Sequence, residues 1–436
     1  MNGSISPPGT FVLRRGLERL RASAMLKQSL LVFAASMVLN LCNFIAHAVA
    51  SRALGVTAYG GLYALINAAL IAALPAAFVG PVVAQLAAEF RALHDDGHLR
   101  GLTDGVADGF ARLGLLYMVI AAFAAIPFSW FLHVPIWTAQ FVGLIAGAAL
   151  YLSALRAVAQ GTQDFAGYAL SNSIEGIAKV FGIVLLLAVG LKLGGGIIGF
   201  FVGPLFALGY LALRLRRRYA NAASHSVRYD WRRIVNASAG AAASTISLAL
   251  IGSADVVLVK HYFSPHAAGL YAAAALGGKI LLYAVGFIPT VLLPQAADRH
   301  ARGVRTREVL TGSLLVFGLV ALCGLSVFKY FGVEVLHALV GRAFDAAAPL
   351  LVTYGLAMAL LALTNALTFY GIATHRLAFT VPLLLSTIGT LVAIVAIHPT
   401  LAVVVEILVV GNAIGAVAVA IALVLQRNTS GRRSTV

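Results

Sequence analysis

Charge is what this chain lacks first. Only 11% of its 436 residues are Asp, Glu, Lys or Arg, against about 25% in an ordinary soluble domain. Acids are scarcer than bases, 15 against 31. Cysteine is nearly absent: Cys42 and Cys323 stand far apart in apolar runs, which excludes a disulfide framework or a cysteine metal site and reads as two buried small hydrophobes. No GxxxxGK[ST] sequence occurs, so this chain shows no signature of ATP hydrolysis. Gly194, Gly196 and Gly199 match a dinucleotide fingerprint in form. They follow an apolar run rather than a strand and read as a flexible turn. Alternating ten-residue strands, the mark of a membrane barrel, are missing. Long polar loops are missing too. The longest loop on the side poor in Lys and Arg, about 331–347, holds only Glu334 and Asp345, too little for a polymerase or ligase, and no enzymatic activity or cofactor is expected.

What remains is 61% apolar, gathered in runs long enough to cross a hydrocarbon core, which takes about 20 residues. Backbone groups in lipid must bond internally, so such runs predict helices. Twelve spans are expected near 28–50, 62–86, 110–132, 136–158, 169–190, 195–215, 235–259, 269–294, 309–330, 348–371, 377–397 and 401–425. Twenty-four Lys and Arg fall on one side of this arrangement and five on the other, with Lys179 and Lys279 inside spans. The richest connection, between spans six and seven, carries Arg214, Arg216, Arg217, Arg218, Arg228, Arg232 and Arg233. The positive-inside rule then puts both termini in the cytoplasm. It also accounts for the net charge of +16 without a nucleic-acid partner. The expected organisation is a basic N-terminal segment (1–27), a six-helix lobe (28–215), a basic linker (216–234), a second six-helix lobe (235–426) and a tail (427–436). Residues 1–27 are too polar for a cleavable signal. Leu13, Leu17, Leu20 and Ala24 share one helical face, so the segment reads either as a surface-lying helix or as a disordered tail.

The halves resemble each other. At an ungapped offset of 208 residues, Gly61-Leu-Tyr-Ala64 falls on Gly269-Leu-Tyr-Ala272, Pro81 on Pro289, Arg91 on Arg299 and Arg52 on Lys260. Equivalent spans run in the same direction, a parallel repeat of the kind that places a substrate site between halves. Small-xxx-small pairs (Gly143–Gly147, Gly199–Gly203, Gly411–Gly415) predict close helix packing.

Several polar residues interrupt the spans. Ser29, Ser36, Asn40, Asn43 and His47 share one face of the first, for an interhelix network or a hydrated wall. Asn172, Glu175 and Lys179 repeat the pattern in the fifth, with Glu175 and Lys179 one turn apart. Lys279 lies about ten residues into the eighth, as Lys179 does in the fifth. It has no carboxylate at i±4 and shares a face with Tyr271, Tyr283 and Thr290. A charge at membrane depth marks a pathway or a pairing. Two midplane lysines, one per half, fit an anion passing between them. Ser153, Arg156 and Gln160 extend that lining toward the cytoplasm, and Arg52 and Lys260 toward the other side. Asp255, at the repeat position of His47, is either a coupling-ion site, with Glu175, or a partner for Lys260 or Lys279. Pro75, Pro81, Pro289 and Pro294 predict bends.

The segment Ala50-Ser-Arg-Ala-Leu-Gly-Val-Thr-Ala-Tyr-Gly-Gly-Leu-Tyr63 resembles the SRxLGxxxYG turn near the start of polysaccharide exporters of the multidrug/oligosaccharidyl-lipid/polysaccharide (MOP) superfamily. The resemblance extends to length, helix number and the 6+6 repeat. It implies an all-α, MATE-like fold of two lobes around a cationic cavity in the bacterial inner membrane. It also implies flipping of undecaprenyl-pyrophosphate-linked oligosaccharides between leaflets, with membrane lipids and other polysaccharide-assembly proteins as partners. A pyrophosphate explains midplane lysines. A multidrug cation extruder of the same fold, the main alternative, is expected to line its cavity with acids.

Overall fold

The computed structural model describes residues 8–225, 231–285, 307–374 and 377–433. The described chain is helical: α1 (Pro8–Ala72), α2 (Ala76–Ala92), α3 (Asp96–Leu132), α4 (Ile136–Gly161), α5 (Phe165–Ala188), α6 (Lys192–Arg218), α7 (Trp231–Ile251), α8 (Ala254–Tyr262), α9 (Pro265–Ala284), α10 (Arg307–Leu339), α11 (Ala348–Ala373), α12 (Thr380–Ala396) and α13 (Leu401–Arg433). Among the described residues nine helical stretches are long and apolar enough to cross a membrane, or ten with a stretch of α3 bent by 52°. That bend lies beside Phe123, the residue whose carbonyl Pro127 leaves without a helical partner. The shorter apolar α12 and the two crossings merged in α1 bring the tally close to the expected twelve.

Three joints decide the architecture. The first lies inside α1, whose apolar part, Leu30–Ala72, would reach about 65 Å as one rod, twice a hydrocarbon core. It turns at Gly55, with φ 70° and ψ 176°, a conformation only glycine adopts freely. The second is the turn before Pro75, where the second expected span breaks between α1 and α2. The third, not anticipated, interrupts the seventh expected span at Gly252–Ser253, between α7 and α8. Shifted by 208 residues, Gly55 falls on Phe263, where the second lobe leaves α8 in an extended conformation before α9. The repeat therefore preserves the position of the corner and not its residue type.

Several expectations need correction. Gly194, Gly196 and Gly199 lie in the first turns of α6, against Trp137, Leu62 and Ile183. They are helix-packing positions rather than a turn. The backbone from Pro8 runs without a break into the first span, so it is one helix rather than a separate surface segment. Cys42 is partly exposed and Cys323 exposed. An apolar run does not tell a lipid-facing position from a protein-facing one. Pro289 and Pro294 lie outside the described residues.

The lobes share one buried core, with Tyr59, Tyr271, Tyr354 and Phe344 fully enclosed. The perimeter is apolar instead: Phe123, Trp130, Phe181, Leu315 and Leu322 are all more than half exposed. A water-soluble protein could not tolerate that surface; a multi-pass membrane protein requires it.

Candidate transport site

The SRxLGxxxYG segment builds a seam between the lobes. Ser51 Oγ donates to the Val340 carbonyl at 3.2 Å. The Arg52 guanidinium donates to the carbonyls of His337, Ala338 and Leu339 at 3.2, 2.7 and 3.0 Å. These carbonyls close the end of α10, where a cation is favoured, and the His337 carbonyl also accepts from the Gly341 N–H at 3.1 Å. Gly55 turns the chain, and Gly60 then meets Gly269 of the equivalent motif. A Cβ at Gly60 would sit 2.7 Å from the Gly269 nitrogen. Gly60, just before the first Gly-Leu-Tyr-Ala copy, thus packs on the start of the second, and nothing larger than glycine fits.

About 15 Å deeper, at 1.5 Å per residue over ten residues of α9, the seam ends on Lys279. Its Nζ donates to Asn67 Oδ1 of the first lobe at 2.9 Å and lies 5.3 Å from the Tyr63 ring centre. Lys279 is 6% exposed, and no carboxylate lies within ion-pairing distance of it among the described residues. Nearby, Tyr271 and Tyr354 both donate to Asp255 Oδ2, at 2.8 and 2.7 Å. The other oxygen, Oδ1, is buried without a described partner. At the repeat-equivalent position His47 packs among Tyr59, Tyr63 and Phe200, its Nδ1 3.3 Å from the Tyr59 hydroxyl.

The first lobe holds a charge cluster. Glu175 bridges Lys179 at 3.2 Å and Arg156 at 2.9 Å. Lys179 also donates to Asn43 Oδ1 at 2.8 Å, and Arg156 Nε to Ser171 Oγ at 2.9 Å. Gly203 on α6 admits this cluster, since a Cβ there would sit 2.8 Å from Lys179 Cβ. A cavity of about 510 Å³ opens beside it, lined by Ser153, Arg156, Gln160, Tyr168 and Glu175 of the first lobe and Thr245 of α7. The lobes therefore meet at the Gly60–Gly269 seam and leave near the other face a space with one polar wall, closed elsewhere by apolar residues such as Ala77, Pro81 and Leu152.

That other face carries the α2–α3 and α6–α7 connections. Asp164 caps α5 by accepting from the Gly167 N–H at 3.0 Å. It also takes two bonds from Arg214, at 2.7 and 2.8 Å. Burial works to raise the Asp164 pKa. The Arg214 bonds, the Gly167 N–H and the charges of Arg214 and Arg218 outweigh it and hold the carboxyl below its ordinary value.

The structure thus gathers Arg156, Glu175, Lys179 and Asn43 in one cluster, with Ser153, Arg156 and Gln160 on one cavity wall. Lys179 and Lys279 do not line that cavity; both are buried beyond it. Arg52 is held by carbonyls and Lys260 is buried on α8; neither reaches the cavity. Asn172 is buried, Asn40 half-buried and Tyr283 exposed, its ring edge-on to Phe44. The polar stripe divides: Ser36 bonds to its own helix at the Val32 carbonyl, while Asn43 and His47 join interhelix contacts. Lys279 and Asp255 belong to separate arrangements, not an ion pair. Asn67, Tyr354 and Ser171 are further members of these arrangements, beyond the residues expected. Asn67 carried a signal, as the one asparagine in its apolar run. Tyr354 carried none, because an isolated tyrosine in an apolar helix looks like core.

No protein-family model and no curated protein matches this chain. Solved structures match it closely in fold. A multidrug-resistance MATE transporter of the MOP superfamily, inward-facing, aligns with TM-score 0.70 at 11% identity, over 93% of this chain and 99% of its own. The lipid II flippase MurJ, inward closed, aligns with TM-score 0.65 at 12% identity, over 92% and 87%. A MOP transporter from Pyrococcus furiosus, described as having a binding pocket of reversed polarity, aligns with TM-score 0.61 at 15% identity, over 93% and 95%.

Proposed function

We propose that this protein is a flippase for lipid-linked oligosaccharides, carrying a polyprenyl-pyrophosphate headgroup from the cytoplasmic to the periplasmic leaflet of a bacterial inner membrane. Both termini lie in the cytoplasm, so the cavity beside Arg156 opens toward the side where such lipids are made. The observation that carries the reading is Lys279. A buried ammonium normally has a carboxylate partner, because desolvation of an unpaired ion is costly. Here the partner is a neutral amide on the opposite lobe, at 2.9 Å. Rocking the lobes apart breaks that bond and leaves a cation facing the opening, which an anionic headgroup can take up. Arg156 and Lys179 outnumber Glu175 in the first lobe and receive the anion from the cytoplasmic side. Arg52 and Lys260 serve the far mouth. Asn40, Asn43, His47, Asn172, Tyr271 and Tyr283 supply polar contacts as the interface opens. Membrane lipids, and other polysaccharide-assembly proteins, are the partners.

A second reading, a MATE-type cation antiporter, is favoured by Asp255. Two tyrosine hydroxyls hold one of its oxygens, and the other is buried without a described partner, a setting suited to a proton or a small cation. Under the flippase reading the same group couples transport. Proteoliposomes separate the two. They are loaded with a fluorescent polyprenyl-pyrophosphoryl oligosaccharide or with a cationic dye. Protein-dependent movement of the lipid is the expected outcome; movement of the dye alone would establish the antiporter.

A further inference from the structure

A second site lies on the basic face, outside the cavity. Asp95 caps α3: Oδ1 accepts from the His98 N–H at 2.9 Å and Oδ2 meets His98 Nδ1 at 2.7 Å. A capping pair needs nothing more. Yet His225, more than a hundred residues away on the α6–α7 linker, is brought against it, with ring centres 5.1 Å apart. One ligand atom from each of Asp95, His98 and His225 lies within 4.8 Å of the other two. The position of His225 is built. Its backbone N–H donates to the Gly97 carbonyl at 3.1 Å, and Arg100 holds the Ala220 and Ala222 carbonyls at 2.7 and 2.6 Å. A Cβ at Gly97 would stand 2.9 Å from the Ala223 carbonyl oxygen, so glycine lets the linker backbone lie this close.

We propose that Asp95, His98 and His225 bind one zinc-class divalent cation, with water in the fourth position. Two imidazoles and one carboxylate suit Zn²⁺ and its borderline neighbours, whereas Ca²⁺ and Mg²⁺ require mostly oxygen. Donors around tetrahedral zinc stand about 3.3 Å apart, as bonds of 2.0–2.1 Å require, so the site closes by roughly 1.5 Å. Exposed His225 is free to supply that movement by side-chain rotation. His98 would bind through Nδ1: the metal replaces the proton that Nδ1 and Asp95 Oδ2 share at 2.7 Å, and both atoms become ligands.

The metal would shorten the tether between the lobes. From Arg218, at the end of α6, to Trp231, at the start of α7, the chain can extend about 45 Å; from a pinned His225 it can extend only about 20 Å. Occupancy therefore limits how far the lobes separate on the basic face. The test uses full-length protein in detergent with a tag free of histidine, titrated with Zn²⁺ against a chromogenic indicator. One ion per chain is expected. His225→Ala and His98→Ala should each weaken it at least tenfold, and Zn²⁺ should slow trypsin cleavage within 219–233 in the parent but not in His225→Ala. His225 is on the surface, so its loss does not threaten folding. Unchanged affinity in both variants, or binding that leaves cleavage unaltered, overturns the proposal.

Discussion

Replacing Lys279 with Met keeps most of the apolar stem and removes the charge, so it isolates the ammonium. In the closed arrangement that group contributes a hydrogen bond from a charged donor, worth about 1.5–3 kcal/mol, across the seam to Asn67. Losing it shifts the lobes toward separation by roughly 10- to 150-fold. Those values are already net of desolvation, and the separated lobes remain folded, so the substitution moves the balance between arrangements more than overall stability. Lys279→Met should therefore accumulate normally and unfold within a few degrees of the parent. Spin labels at His133 and Ser264, which report the seam's outer end, should show a larger separated fraction. Transport of the pyrophosphate-linked lipid in proteoliposomes should fall at least tenfold, about 1.4 kcal/mol or more in barrier, because the anion loses its cation. Lys279→Arg should retain part of it. Undiminished transport by stably folded Lys279→Met would refute this reasoning, and the flippase reading would lose its main physical support.

Lys179→Ala leaves Glu175 paired only with Arg156 and should destabilise by about 1.5–3 kcal/mol, one charged hydrogen bond; the Lys179→Ala/Glu175→Ala double variant should recover part of that in a thermal melt. Asp255→Asn should keep both tyrosine hydroxyl bonds yet abolish the dependence of transport on a proton or sodium gradient; transport that follows those gradients unchanged would exclude coupling through this acid. Asp164 has a depressed pKa, so its contribution is present above the unfolded value near pH 4 and disappears as pH falls through the lower folded value. Asp164→Asn should accordingly cost about 2 kcal/mol at neutral pH and flatten the loss of stability below pH 4. Cysteine labels at Asn221 and Ser224 should react only from the cytoplasm, and those at His133 and Ser264 only from outside; Gly101 is unsuitable, because its face is covered by the His225 backbone.

What depends on solvent and on repetition can be read along the chain. Lipid cannot satisfy a backbone polar group, so long charge-free runs had to become helices. The 208-residue offset had to bring equivalent motifs to equivalent places. The corner at Gly55 and its counterpart at Phe263, and the packing of Gly60 on Gly269, are where those constraints became contacts. Polar residues in apolar runs were visible as anomalies, which is why Glu175, Lys179, Lys279 and Asp255 stood out. Their partners were not visible. Asn67, Asn43 and Tyr354 reach them from helices distant in sequence, and Lys279 chose an amide across the seam although Asp255 is its nearer neighbour along the chain. Helical periodicity reports which face of a helix a residue occupies and carries no information about the helix opposite. The tertiary structure alone decided which cations line the cavity and which are sealed behind it. It alone also brought His225 to the cap of α3, since that choice depends on how the lobes and their linker pack.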